Sequence, residues 1–187
     1  MNYLSADQVI EKLKEGNQKY INQMCTIGDT SIQKRVQTYI KGQHPYAIIV
    51  TCSDSRVIPE SIFNAGIGDL FVIRLAGNVI DDHQLGSIEY AAGHLDCHLI
   101  VVLGHTHCGA VDAAMNGNPD GYIKFITDEI KKAIGNESDE KKACIKNVIY
   151  CVKEIEQSLE IQHYECDQGL KVIPALYDIE TGMVEFL

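Results

Sequence analysis

Residues 98–109 read HLIVVLGHTHCG, five consecutive apolar residues from Leu99 to Leu103 running into a glycine and then into imidazole, hydroxyl, imidazole and thiol. A strand with one wet face alternates apolar and polar side chains, whereas this run is apolar at every position, as in a parallel strand covered by helices on both sides. Two further runs share that character: Ala47 to Thr51, and Leu70 to Ile73 after the turn Gly66-Ile67-Gly68. A fourth, Leu170 to Tyr177, leads into the turn Glu180-Thr181-Gly182 and a last short strand.

Helical periods fill the intervals. Ala6 to Met24 carries Val9, Ile10, Leu13, Tyr20, Ile21 and Met24 near helical spacing, and Ser5 with Gln8 forms a capping-box start. Ile32, Val36, Tyr39 and Ile40 mark a second, shorter helix, Gln84 to Leu95 a third, and another follows Cys108. Tyr122 to Ile134 places Ile123, Ile126, Ile130 and Ile134 in phase. A polar loop is expected from Gly135 to Lys142, then one long amphipathic helix through Ile145, Val148, Ile149, Val152, Ile155 and Leu159. Strand and helix alternate, which predicts an α/β fold. Its mostly parallel central sheet has about four strands plus a C-terminal strand, flanked by helices, in a single domain over residues 1–187.

Composition narrows the function classes. A net charge of −10 and a pI near 5.1 oppose general affinity for nucleic acid. The apolar runs are too short to cross a bilayer, so no membrane is expected. The seven cysteines, at 25, 52, 97, 108, 144, 151 and 166, are odd in number, scattered and preceded by no secretory h-region. A reducing, cytoplasmic setting is the expectation.

Ligands of open α/β sheets gather at the carboxyl ends of strands. Cys52 stands just past the first strand and His105 just past the third, with Cys108 three residues on. Two thiols and an imidazole make a borderline-soft, tetrahedral donor set typical of zinc. Gly104 and Gly109 allow close backbone approach. The fourth position is either Asp54, which closes the site into a structural one, or water, which zinc makes acidic. Arg56, two residues beyond Asp54, can hold that carboxylate bidentately and keep it off the metal. A redox role is weaker, because the chain has no Cys-x-x-Cys and thiolates on zinc are poor free nucleophiles.

These residues resemble the β-class carbonic anhydrases. Cys52 to Pro59 fits that family's first signature throughout, and Glu89-Tyr90-Ala91 through Leu95 and Ile100-Val101-Val102 to Gly104-His105-Thr106-His107-Cys108-Gly109 fits its second. Ala92 stands where a larger aliphatic is usual, and Ala76 where the family often has valine. The resemblance runs from about Ser5 to Gly182. It implies one zinc per subunit on Cys52, His105 and Cys108, with Asp54 a fourth ligand only in a closed, low-pH form. It also implies Asp54 and Arg56 as a catalytic dyad orienting a zinc-bound hydroxide for reversible hydration of carbon dioxide to bicarbonate and a proton. Gln43 is similar to a glutamine that hydrogen-bonds bicarbonate, Phe71 and Tyr90 to an apolar wall supplied partly by a second subunit, and Gly109 to a pocket glycine. A homodimer or dimer of dimers, paired through the N-terminal helices and the sheet edge, is implied too. Family members that bicarbonate inhibits at a second site use a tryptophan, and this chain has none, so the open arrangement is expected near neutral pH and above. Related enzymes with the same ligands hydrolyse carbonyl sulfide or carbon disulfide, an alternative the residues leave open. His83, His107 and His163 are proton-relay candidates by chemistry alone.

Overall fold

The computed structural model describes residues 4–23 and 28–187; Met24 and Cys25 lie outside them. Five strands form one sheet in the order β2-β1-β3-β4-β5. They are β1 (Ala47–Thr51), β2 (Leu70–Arg74), β3 (Leu99–His105), β4 (Lys171–Tyr177) and β5 (Val184–Phe186). The first four run parallel, and β5 returns antiparallel beside β4. The predicted α/β sheet is therefore present, with His105 the last residue of β3, paired with Tyr177, rather than just beyond it.

All five residues of β1 and all seven of β3 are buried. Alternation sends Ile48, Val50, Ile100 and Val102 to one face and Ala47, Ile49, Leu99, Val101 and Leu103 to the other. The first face is covered by Ile88 of α4 (Asp82–His94), Val148 and Val152 of α7 (Glu140–Glu156) and Ile161 of α8 (Leu159–Gln168). Val9 and Leu13 of α1 (Ala6–Ile21), with Ile62 of the short α3 (Pro59–Ile62), cover the second. Each such aliphatic side chain contributes about 1.5–3 kcal/mol when fully buried. β2 is an edge strand, and only Ile73 of its five residues is buried.

The Ser5–Gln8 capping box opens α1 as expected. Asn17 then ties that helix to the far end of the chain: its amide donates to Ile62 O at 3.3 Å and Gly182 O at 2.9 Å and accepts from Val184 N at 3.0 Å. One residue earlier, a Cβ on Gly16 would lie 2.0 Å from Phe63 O. Gly16→Ala is therefore expected to destabilise by about 2–3 kcal/mol, read as a lower urea midpoint at unchanged m-value.

Three helical expectations change. The long helix reaching Leu159 is two helices, because the Ser158 hydroxyl accepts from Ile161 N and starts α8; Leu159 is 79% exposed. The polar loop ends early, since Asp139 accepts from Lys142 N at 2.8 Å and caps α7 from Glu140. α6 (Ile123–Ile134) follows α5 (Gly109–Asn116), but Ile123 is exposed, so its buried stripe begins further along the helix. None of the residues of α2 (Ile32–Lys41) is buried: Ile32, Val36, Tyr39 and Ile40 form an uncovered apolar set.

Candidate metal centre

β1 and β3 are adjacent and parallel, so their carboxyl ends lie side by side. Cys52 follows directly on β1, and His105 closes β3. His107 then takes a left-handed backbone conformation, φ 53°, which turns the chain so that Cys108 immediately precedes α5. Cys52 Sγ, a ring nitrogen of His105 and Cys108 Sγ all lie within 4.8 Å of one another, and all three residues are buried. His105 Nδ1 faces Thr106 O at 2.9 Å, which fixes Nδ1 as the protonated nitrogen. Nε2 is left buried with no hydrogen-bond partner among the described residues. An orphaned imidazole nitrogen facing two thiols is costly alone and fits a bound metal ion.

The charge distribution points the same way. The neighbouring Cys108 thiol draws Cys52 below the usual thiol range, while that same contact and burial push Cys108 far up. The pair thus ionises once, because a second thiolate would face the first in a buried place. A divalent cation between them removes that repulsion. Gly104 supplies the close approach expected of it: a Cβ there would lie 2.3 Å from Val148 Cγ2. Gly109 is exposed, and a Cβ there would meet no described atom within 4 Å.

Residues 52–58 form an irregular turn rather than a continued strand, yet it brings Asp54 and Arg56 to the cluster. Arg56 holds Asp54 by a full fork, Nε to Oδ1 at 3.0 Å and Nη2 to Oδ2 at 2.7 Å, and its backbone N–H adds 2.9 Å to Oδ1. Nη2 also donates to His107 O at 3.0 Å. The guanidinium beside it holds the Asp54 carboxyl well below the usual carboxylate range. Asp54 Oδ2 stands 3.9 Å from His105 Nε2, beside the cluster but facing Arg56.

Sequence reasoning missed two supports. Arg74 donates through Nε to Cys52 O at 3.1 Å and through Nη2 to Asp54 O at 2.7 Å, anchoring the turn's backbone. The signal was there: an arginine closing an otherwise apolar strand needs acceptors at the sheet end. Gly77, in the short 3-10 turn Ala76–Asn78, gives its N–H to Cys52 Sγ at 3.2 Å.

The structure does not bring Gln43, Phe71 and Tyr90 to this cluster within one chain. Gln43 precedes β1, whose five residues span about 17 Å, so it lies at the opposite end of the sheet from Cys52. Phe71 pairs in register with Ile48, about 10 Å short of the carboxyl end, and its ring sits 6.2 Å from that of Tyr90, which is 46% exposed. Of the relay candidates only His107 adjoins the ligands, with Nδ1 3.3 Å from Glu140 Oε2; His83 is capped into the start of α4, and His163 lies on α8.

Comparison with known proteins agrees with this geometry. Residues 47–184 match the family model described as carbonic anhydrase. Carbonic anhydrase 2 of Mycobacterium tuberculosis is 44% identical over 127 residues, taking in 65% of this chain and 61% of that protein. The carbonic anhydrase of Mycolicibacterium smegmatis is 34% identical over 184 residues, 92% of this chain and 89% of its own. Among solved structures, the β-carbonic anhydrase CafA of Aspergillus fumigatus superposes with a TM-score of 0.77 at 26% identity, over 97% of this chain and 89% of that one. One of the tetrameric β-carbonic anhydrases of Sordaria macrospora gives 0.74 at 26%, over 83% and 87%. Because the matched span opens on the first residue of β1 and closes on the first of β5, it contains every ligand described above, and the chain belongs to the carbonic anhydrase family, in its β class.

Proposed function

We propose that the protein is a zinc-dependent carbonate dehydratase, hydrating carbon dioxide reversibly to bicarbonate and a proton. The observation that carries this reading is the Asp54–Arg56 fork at the edge of the three-ligand cluster. A purely structural site would use Asp54 as its fourth ligand; the guanidinium instead keeps it ionised and turned aside. Zinc on Cys52, His105 and Cys108 supplies a Lewis acid that makes water nucleophilic at neutral pH. Asp54 accepts a hydrogen bond from the attacking oxygen and orients it. With zinc bound, Asp54 would stay ionised on acidification, because Arg56 holds its carboxyl well below the usual carboxylate range, and so would remain able to serve as a fourth ligand in a closed form.

Substrate contacts then come from a second copy. Gln43, Phe71 and Tyr90 cannot reach the cluster of their own chain, so in a homodimer or dimer of dimers they line the partner's site. There Gln43 donates to the oxygens that gain charge, and the rings hold carbon dioxide. The uncovered apolar residues of α2 support its use in that pairing. No helix among the described residues is long and apolar enough to cross a membrane, and we place the enzyme in the cytoplasm.

Stopped-flow hydration with zinc stoichiometry on the same sample tests this, with carbonyl sulfide and carbon disulfide hydrolysis measured alongside. About one zinc per chain and hydration far faster than either hydrolysis is the expected result. A protein fully active after exhaustive chelation overturns it, as does a fully loaded protein that leaves carbon dioxide untouched.

A further inference from the structure

The turn Ala76–Asn78 holds an unusual shape at some cost. Gly77 and Asn78 both take left-handed backbone conformations, φ 67° and 47°, and Asn78 pays the Cβ penalty that Gly77 avoids. Both residues are buried. A Cβ on Gly77 would lie 2.7 Å from Ile130 Cδ1 and 3.1 Å from Ala110 Cβ, so the turn is seated tightly against α5 and α6.

Two side chains from one face of α7, four residues apart, clasp it from behind. Asn147 Nδ2 donates to Gly77 O at 2.8 Å, and Cys151 Sγ donates to Asn78 O at 3.2 Å, with Asn78 Nδ2 3.7 Å from the same sulfur. Asn147 is 1% exposed and Cys151 2%. Burial pushes the Cys151 thiol up to about 12, so it remains a donor. Asn147 Oδ1 finds no partner among the described residues, which leaves the bond to Gly77 O as the contact that fixes the amide. On the other side of the same turn, the Gly77 N–H points at Cys52 Sγ.

We infer that Asn147 and Cys151 are positioning residues that hold the Gly77 N–H on the Cys52 sulfur and so set how strongly that sulfur donates to the metal. The inference rests on the zinc reading given above. An N–H bond to a coordinated thiolate lowers the energy of the sulfur lone pairs and fixes their direction. A clasp that lets the turn relax releases both effects, although neither side chain touches metal or substrate.

Cobalt(II) is the probe, since its thiolate charge-transfer band in the near ultraviolet reports the energy of the sulfur lone pairs. In Asn147→Ala the band is expected to move to lower energy, and Co(II) affinity in chelator competition to fall about 10- to 100-fold. Cys151→Ala should shift the band the same way, while Cys151→Ser, which keeps a donor for Asn78 O, should restore it. Where Asn147→Ala yields no folded protein, the Cys151 pair decides. Asn17→Ala is the control for simple loss of a buried amide, because Asn17 clasps α1 and the closing turn with no link to the site. An unmoved band in the folded Asn147 and Cys151 variants, or an equal shift in Asn17→Ala, overturns the inference alone. A parent protein that shows no thiolate band with Co(II) overturns the zinc reading, and this inference with it.

Discussion

Arg56→Ala is expected to keep its zinc and lose about 100- to 1,000-fold in kcat/KM, the scale seen when a preorganised hydrogen-bonding group is removed from a reacting centre. The side chain of Arg56 is half exposed, so its truncation leaves the core intact. What changes is Asp54, which loses both fork contacts and keeps only the backbone N–H of residue 56. Free to rotate, that carboxylate can take the fourth position on the metal. Arg56→Lys should recover little, because a point-charge ammonium cannot reproduce two parallel N–H bonds. Metal analysis and steady-state hydration on the same preparation check the result, and near-parental activity in Arg56→Ala would remove the dyad from the mechanism.

His105→Ala is expected to fail earlier, at the metal. With one of three ligands gone, zinc retention through desalting should fall to about a tenth or less, and hydration with it. Stability separates this from a folding defect. A ligand at a hundredfold excess over its Kd adds about 2.7 kcal/mol to the folded state, so excess zinc should raise the Tm of the metal-free parent and leave that of His105→Ala unmoved. A parent whose Tm ignores zinc, or a variant whose Tm still follows it, would place the metal elsewhere.

The central sheet was legible because β1 and β3 are buried on both faces and so spell continuous apolar runs. The Cys52–His105–Cys108 cluster was legible for a related reason: two thiols and an imidazole fall where such runs end, and together they make a metal donor set. The break at Ser158 was not, since an apolar period continues through Leu159; the Ser158 hydroxyl caps α8 and also donates to Glu89, 69 residues away. Gly77 and Asn147 were hidden differently. Gly77 is engaged through its backbone N–H and C=O, which every residue carries, and the Asn147 side-chain amide meets that C=O across a separation of 70 residues that no local pattern records. Gln43, Phe71 and Tyr90 were named by resemblance alone; within one chain the rings of Phe71 and Tyr90 meet each other, away from the cluster.

One feature of the sheet bears on how the protein assembles. Cys52 and His105 become neighbours only through the register of β1 against β3, where Thr51 faces Leu103 and bonds its carbonyl across 52 residues. Closing so long a loop must precede any three-point grip on an ion. In a zinc finger the metal organises the chain; here the pairing of β1 with β3 is what brings Cys52 beside His105, so the three-donor site exists only in the folded protein.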